Sequence, residues 1–419
     1  MQSRCSAQDD GITMNILILT NEFPPHIYGG AGVHVDHLVR EMEHCDSGRH
    51  RIQVLCFGDQ REERRNRTVT GLGSLEGIEA MGLRQPKITD TLYRNIIMAG
   101  AVENADVVHC HTWYTHLAGC LIKQLLQIPL VVTTHSLEPH RPWKKEQLGN
   151  GYYVAGWLEK TALVNADRVI AVSQAMHDDI LDLYKISAAR VRVIHNGIDT
   201  KSYRQIRDPA VLDRYGIEAS KPFVLFVGRV TRQKGILHLL RALHHVETDF
   251  QTVFCADAAD TPEIAKKVET EMSNVRANTG KKVIWIREMV PTKFLIPLYS
   301  QAAVFVCPSV YEPFGIINLE AMACSTPVVA SLVGGIPEVV VNDKTGLMVP
   351  FEPAGPADAE PKHPEQFAKD LAAAIDTLIR SPERRIEMGE AARQRVEEHF
   401  SWKRIARQTL ELYEKNLNV

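Results

Sequence analysis

Two carboxylates, Glu312 and Glu320, stand with seven residues between them in PSVYEPFGIINLEAMA (308–323), directly after the apolar run AVFVC. Eight steps on an ideal helix would set them roughly 80° apart. The residue before a proline is pushed out of the helical region, however, so Glu312, followed by Pro313, belongs to a loop. Glu320 falls on the helix that IINLEAMA begins, so the two need not act as an acid/base couple. Ionised carboxylates only accept hydrogen bonds, which suits sugar hydroxyls, and one on a loop with one on a helix could hold two sugars of one ligand. The plainer alternative has Glu312 capping backbone amides and Glu320 favouring a helix N-terminus.

In FVGRVTRQKGILHLL (226–240), Arg229, Arg232 and Lys234 crowd the turn before a helix. Cations there oppose the helix dipole by a few tenths to about 1 kcal/mol each, which a bound anion would offset. A diphosphate suits them, because a guanidinium gives planar paired contacts and an ammonium a point charge; a solvated basic turn is the alternative. Near the start of the chain, NEFPPHIYGGAGVHV (21–35) sets Gly29, Gly30 and Gly32 before another helix. Glycines there let backbone N–H groups approach an anion. The spacing is not the dinucleotide G-x-G-x-x-G, and a tight turn alone would also explain it. His135 closes LVVTTH, where it could face a ligand or satisfy backbone carbonyls. His109 and His111 share a strand face in HCHTW, but no third ligand has suitable spacing and no metal is expected.

These residues need a frame that gathers strand-end loops. From Met14 onward short β-branched runs alternate with helical patterns, which predicts parallel sheets covered by helices on both faces. The first half offers strands at 15–20, 52–57, 106–110, 130–135, 168–173 and 191–195; the second offers 223–228, 251–256, 282–287, 303–308, 326–331 and 346–350. A polar, turn-rich connection over 196–222 separates them. ERRNRTVTG (63–71) and FEPAGPADAEPKHPEQ (351–366) read as exposed loops, and the last helix pattern, 401–417, has an apolar stripe that must pack on something. Ligands of such sheets bind beyond the carboxyl ends of strands and between domains.

The chain's 419 residues exceed what one core usually fills, so two domains are expected. With 45% hydrophobic and 24% charged residues it reads as globular, and a net charge of -3 argues against a general nucleic-acid or anionic-membrane binder. Eight cysteines without a C-x-x-C pair read as reduced thiols of a cytoplasmic protein. No apolar run approaches a membrane span, and MQSRCSAQDDGIT lacks a signal-peptide core. Residues 1–13 are expected to be a disordered leader or the mark of an upstream start codon.

YEPFGIINLEAMACSTPVVASLVGGIPEVV (311–340) resembles the Glu, seven residues, Glu signature of the family-4 retaining glycosyltransferases. GRVTRQKG, the glycine pair and HNGID (195–199) occur in that family's order, so the resemblance spans essentially residues 14–419. NEFPPHIYGGAGVHV and THSLEPHRPWKKEQLGNGYYVAGWLEKTA (134–162) are similar, more narrowly, to short bacterial glycogen synthases, a group that includes α-maltose-1-phosphate synthases. The resemblance implies the GT-B fold: two Rossmann-like, doubly wound α/β domains with parallel sheets facing a deep cleft. It implies an acceptor-side domain over 14–200, a nucleotide-sugar-binding domain over 201–395, and a final helical segment, 396–419, crossing back to the first. Arg229 and Lys234 would bind the donor diphosphate, assisted by the Gly29–Gly30 loop through the Gly30 amide. Glu320 would hold the nucleotide ribose and Glu312 the hydroxyls of the donor glucose. The backbone at Phe314, Gly315 and Ile316 would close on the same sugar, with His135 beneath it. Thr112 stands where longer glycogen synthases often carry Asp, so no role for that Asp transfers.

The activity so implied is transfer of α-glucose, with retention, from a nucleotide-glucose, ADP-glucose in preference to UDP-glucose. The acceptor would be the 4-OH of an α-1,4-glucan or of glucose 1-phosphate. No covalent nucleophile stands out, which favours attack on the face that the diphosphate leaves over a double displacement. Arg141, Lys144 and Lys145 in HRPWKKEQ (140–147) could bind the phosphate of glucose 1-phosphate, or could lie beside a glucan channel with Trp143 stacking on sugar. No cofactor, nucleic acid or membrane partner is expected, and a homo-oligomer stays open. The rivals are a GT-B sugar-nucleotide epimerase, a pyridoxal-phosphate glucan phosphorylase and a non-catalytic sugar-nucleotide binder.

Overall fold

Residues 13–257, 259–355 and 358–417 are described by the computed structural model, and their contacts divide the chain into two units. The leader expected over 1–13 lies, apart from Thr13, outside the described residues. The first unit takes the chain up to Thr133, then Leu158–Ile170, then the segment from Ala406 onward. The second takes Thr134–Trp157 and Ala171–Ile405.

In the first unit the strands are β1 (Asn15–Thr20), β2 (Arg51–Phe57), β3 (Arg61–Glu63), β4 (Arg67–Leu72), β5 (Val107–His111), β6 (Leu130–Thr134) and β7 (Arg168–Ala171). They lie in the order β3-β4-β2-β1-β5-β6-β7. β1 runs parallel to both β2 and β5, and β5 to β6, as expected for runs such as LVVTT whose residues are all buried. Two loop expectations are overturned. ERRNRTVTG is not a loop: β4 pairs with β2 in parallel from Ile52↔Arg67 to Phe57↔Leu72, and β3 adds an antiparallel edge. The alternation in RTVTGL is a strand signal, with Arg67 and Val69 buried, but the preceding charges hide it. Arg67 is tolerated inside because Glu43 lies 3.1 Å and Glu62 3.0 Å from its guanidinium.

The second unit has β8 (Val191–Val193), then β9 (Phe223–Val227), β10 (Gln251–Cys255), β11 (Val283–Ile286), β12 (Val304–Cys307), β13 (Val328–Ser331) and β14 (Gly346–Val349). The last six form a parallel sheet in the order β11-β10-β9-β12-β13-β14, so the chain winds outward both ways from the β9/β12 pair. Each lies within a residue or two of its expected span. The stretch 351–366 is likewise not simply a loop. Pro353–Gly355 pairs antiparallel with Asp358–Pro361, and Pro364 opens the helix Pro364–Ile379 at the position where a proline's missing N–H does no harm.

HNGID serves as a joint within this unit. Ile198 N donates to Phe400 O at 2.8 Å, and a Cβ on Gly197 would come within 2.6 Å of the Trp402 ring. Trp402 starts the final helix, Trp402–Leu417, whose later residues belong to the first unit. There the Tyr413 hydroxyl lies 2.5 Å from His109 Nδ1. Among the described residues no helix is long and apolar enough to cross a membrane, and the seven described cysteines are unpaired.

Candidate active site

In the second unit β9 ends at Val227 and turns through Gly228–Gly235 into the helix Ile236–Ala242. β12 ends at Cys307 and passes through 308–315 into the helix Ile316–Ala323. Because β9 and β12 are parallel neighbours, both loops leave the same sheet edge side by side. Val310 N donates to Gln233 O at 2.9 Å, and a Cβ on Gly235 would lie 1.8 Å from the Pro308 carbonyl oxygen. With φ of +66° as well, this position admits only glycine.

The contact joins two residues that the sequence singles out separately. Lys234 Nζ donates to Glu312 Oε2 at 2.7 Å, and Ser309 Oγ donates to the same oxygen at 3.1 Å. Burial alone would lower the Lys234 pKa, but the Glu312 charge carries it above the ordinary lysine value. Arg229, half exposed, pairs with Asp260 at 3.3 Å, and Arg232 with Glu146 at 3.2 Å.

A second glycine pair presses on the Glu312 loop. Gly335 N donates to Glu312 O at 3.0 Å, and a Cβ on Gly334, at φ +50°, would lie 2.2 Å from that oxygen. Phe314 is 2% exposed, stacked on His195 with 5.4 Å between ring centres, so its side chain serves the core and it can offer a ligand only its backbone. Gly315, at φ +99°, turns the chain into the helix that Ile316 begins. One turn further on, Glu320 accepts from Tyr203 Oη at 3.1 Å and from Tyr299 Oη at 2.8 Å. Burial raises its pKa, against the pull of those two hydroxyls.

The segment Thr134–Trp157 brings its basic loop to the same loops. Leu137 N donates to Tyr311 Oη at 3.2 Å, and the rings of His140 and Trp143 lie 5.8 and 6.4 Å from the Tyr311 ring. His135 is half-buried two residues before Leu137. Arg141 donates to Ser136 Oγ at 2.6 Å and lies 3.3 Å from the buried Glu138. Lys144 donates to Gln147 at 2.7 Å. Burial, then the guanidiniums of Arg141 and Arg229, hold its ammonium down at about 8. Lys145 is exposed, with its ammonium 5.2 Å from the centre of the Tyr153 ring. Arg141, Lys144 and Arg229 are thus neighbouring cations, with Glu138 and Asp260 pairing two of them and partly offsetting their pull on Lys144.

In the first unit Glu22 organises the glycine loop by accepting from Tyr28 N at 2.9 Å and Gly29 N at 2.8 Å. Gly30 then opens the helix Gly30–His44, and Gly32 leaves room for Glu22, whose Cβ a side chain there would meet at 2.8 Å. Thr112 donates to Asn21 Oδ1 at 2.7 Å. His109 and His111 do lie together, their ring centres 4.2 Å apart and the rings tilted by 39°, but both His109 nitrogens are engaged, by Tyr413 and by Thr133 at 2.7 Å. Burial drops its pKa to about 3, which keeps it a neutral core residue.

Asp260, Tyr203 and Tyr299 carry no local mark in the sequence, whereas Glu22 and the Gly334-Gly335 pair lie inside stretches that carry the resemblance and have no partner legible there. Tyr311 had the best available signal, as the neighbour of Glu312 on a strand-end loop.

Two family models match the chain, "Glycosyltransferase Family 4" over residues 28–202 and "Glycosyl transferases group 1" over 210–360. An α-maltose-1-phosphate synthase of Mycolicibacterium smegmatis is 46% identical over 409 residues, covering 96% of this chain and 99% of the relative. A glycogen synthase of Mycobacterium tuberculosis is 27% identical, over 96% and 94% of the two chains. Among solved structures, the catalytic domain of starch synthase IV from Arabidopsis thaliana, bound to ADP and acarbose, shares the fold with a TM-score of 0.75, at 16% identity over 97% of this chain and 100% of that one.

Proposed function

The chain belongs to the family-4 GT-B glycosyltransferases, and from that premise we propose that it moves α-glucose from ADP-glucose to the 4-OH of glucose 1-phosphate, releasing ADP and maltose 1-phosphate. The observation that carries the choice of acceptor is the Arg141, Lys144 and Arg229 group, with the Lys144 ammonium held down at about 8 by burial and by its cationic neighbours. Glu138 and Asp260 pair with Arg141 and Arg229, which leaves Lys144 as the member of the group without an ion pair among the described residues; a phosphate would supply that charge, and a neutral glucan chain would not. The relative named for maltose 1-phosphate synthesis, a disaccharide phosphate, points the same way.

In this mechanism the C1–O bond to the ADP diphosphate breaks, a new bond forms from C1 to the acceptor O4, and the hydroxyl proton leaves toward the departing phosphate oxygen. Lys234 and Arg229 stabilise that oxygen's growing charge; such fixed electrostatics usually supply the largest part of a rate enhancement. Glu312 accepts donor-glucose hydroxyls while keeping Lys234 charged, and Glu320 accepts from the ribose with the lone pairs that the two tyrosines leave. The backbone of 314–316 closes over the glucose, His135 sits beneath it, and no metal or cofactor is invoked.

Initial rates with ADP-glucose and either glucose 1-phosphate or glycogen, with phosphorus NMR of the product, test the proposal. Maltose 1-phosphate is expected from the first pair. Glycogen elongation without turnover of glucose 1-phosphate would instead assign the basic loop to a glucan channel, and product without any acceptor would mean an epimerase.

A further inference from the structure

The sheet of the first unit has a second edge, opposite the one that carries the glycine loop. At the amino ends of β1 and β2, where Asn15 and Arg51 begin their strands, there is a cavity of about 180 Å³. Arg51, Arg64, Arg65 and Arg67 all line it, with Asn104 on the far side, and none of its lining residues is acidic. Four arginines thus line one cavity in a chain whose net charge is -3. Asp106 is near but engaged, accepting from Asn15 N and Nδ2 at 2.6 and 3.2 Å.

The four cations differ in how they are held. Arg67 is 4% exposed and anchored by Glu43 and Glu62, yet its Nε has no hydrogen-bond partner. Arg64 pairs with Glu62. Arg51 and Arg65 are exposed and have no carboxylate partner among the described residues. A buried, pre-oriented guanidinium with two free ones beside it suits a phosphate group, whose oxygens accept planar paired contacts. The volume is below the roughly 300 Å³ at which drug-sized pockets begin, so the ligand is a phosphate carrying at most a small organic group.

We propose that this cavity binds a phosphomonoester of sugar-phosphate size, separately from the candidate active-site residues. The test titrates glucose 6-phosphate, and in parallel inorganic phosphate, calorimetrically into the full chain carrying Lys144→Ala and Arg229→Ala, which removes two of the candidate active-site cations. One saturable site is expected to remain. Adding Arg51→Ser and Arg65→Ser, both exposed positions, is expected to weaken it by at least about tenfold, the worth of one charge-assisted hydrogen bond, with the melting temperature unchanged. Tighter binding of glucose 6-phosphate than of phosphate supports the proposal, and equal affinities would overturn it in favour of a site for the phosphate group alone. Absence of a saturable site in the Lys144→Ala/Arg229→Ala protein, or affinity that ignores Arg51→Ser/Arg65→Ser, overturns the proposal.

Discussion

Lys144 is a cation set among cations, and its proton is correspondingly loose. Its ammonium, held near 8 in the folded protein against an ordinary 10.5, is lost as pH rises through 8. The KM for glucose 1-phosphate should therefore rise above pH 8, by up to about tenfold per unit if the contact depends on that charge, while Lys144→Arg should flatten the profile. Linkage gives the opposite sign for stability. Between about 8 and 10.5 the unfolded chain holds this proton more tightly, so the group's contribution to stability grows with pH across that window. Lys144→Ala should raise the KM for glucose 1-phosphate by about 10- to 100-fold and leave the KM for ADP-glucose unchanged. Lys234 behaves differently, because pairing with Glu312 keeps it protonated throughout the working range. Lys234→Ala should lower kcat by two to three decades, as removal of other charge-stabilising donors does, on the order of 10²–10³; unchanged turnover would remove it from the mechanism.

Among the elements, the Gly228–Gly235 turn is the piece whose geometry the site depends on. Gly235→Ala puts a methyl group against the Pro308 carbonyl and should cost about 2–4 kcal/mol in thermal or urea unfolding, with a drop in kcat. Gly216 is the control: its φ of +67° is similar, but it faces open space, so Gly216→Ala should cost only about 1 kcal/mol and leave activity intact. The alternating strands, the strand-end loops and the glycine turns were legible in sequence because each is a local pattern. What was not legible is pairing across the chain. Nothing near Glu320 announces Tyr203 and Tyr299, nothing near Arg229 announces Asp260, and the local patterns around Glu312 and Lys234 point to two separate ligand groups, with no sign of the 2.7 Å contact the side chains share. ERRNRTVTG hides its strand for a related reason: Arg67 enters a strand with Glu43, 24 residues away, as well as with nearby Glu62, and the charges before it mask the alternation.

For the whole molecule, the final helix is the test of how the units depend on distant sequence. Ile405 and Leu410 alone are 2% and 3% exposed, each worth about 1.5–3 kcal/mol of burial, against a typical net stability of about 5–15 kcal/mol. Deleting residues 402–417 should abolish the cooperative melt followed by circular dichroism. Tyr413→Phe, which removes one hydroxyl from His109, should cost about 1 kcal/mol. That single contact joins residues 304 positions apart. At about 5–20 residues per second, β5 leaves the ribosome some 15–60 s before Tyr413 does. The first unit to be translated is thus the last to be finished, and its half-built sheet must wait on the nascent chain for a helix that has not yet been made.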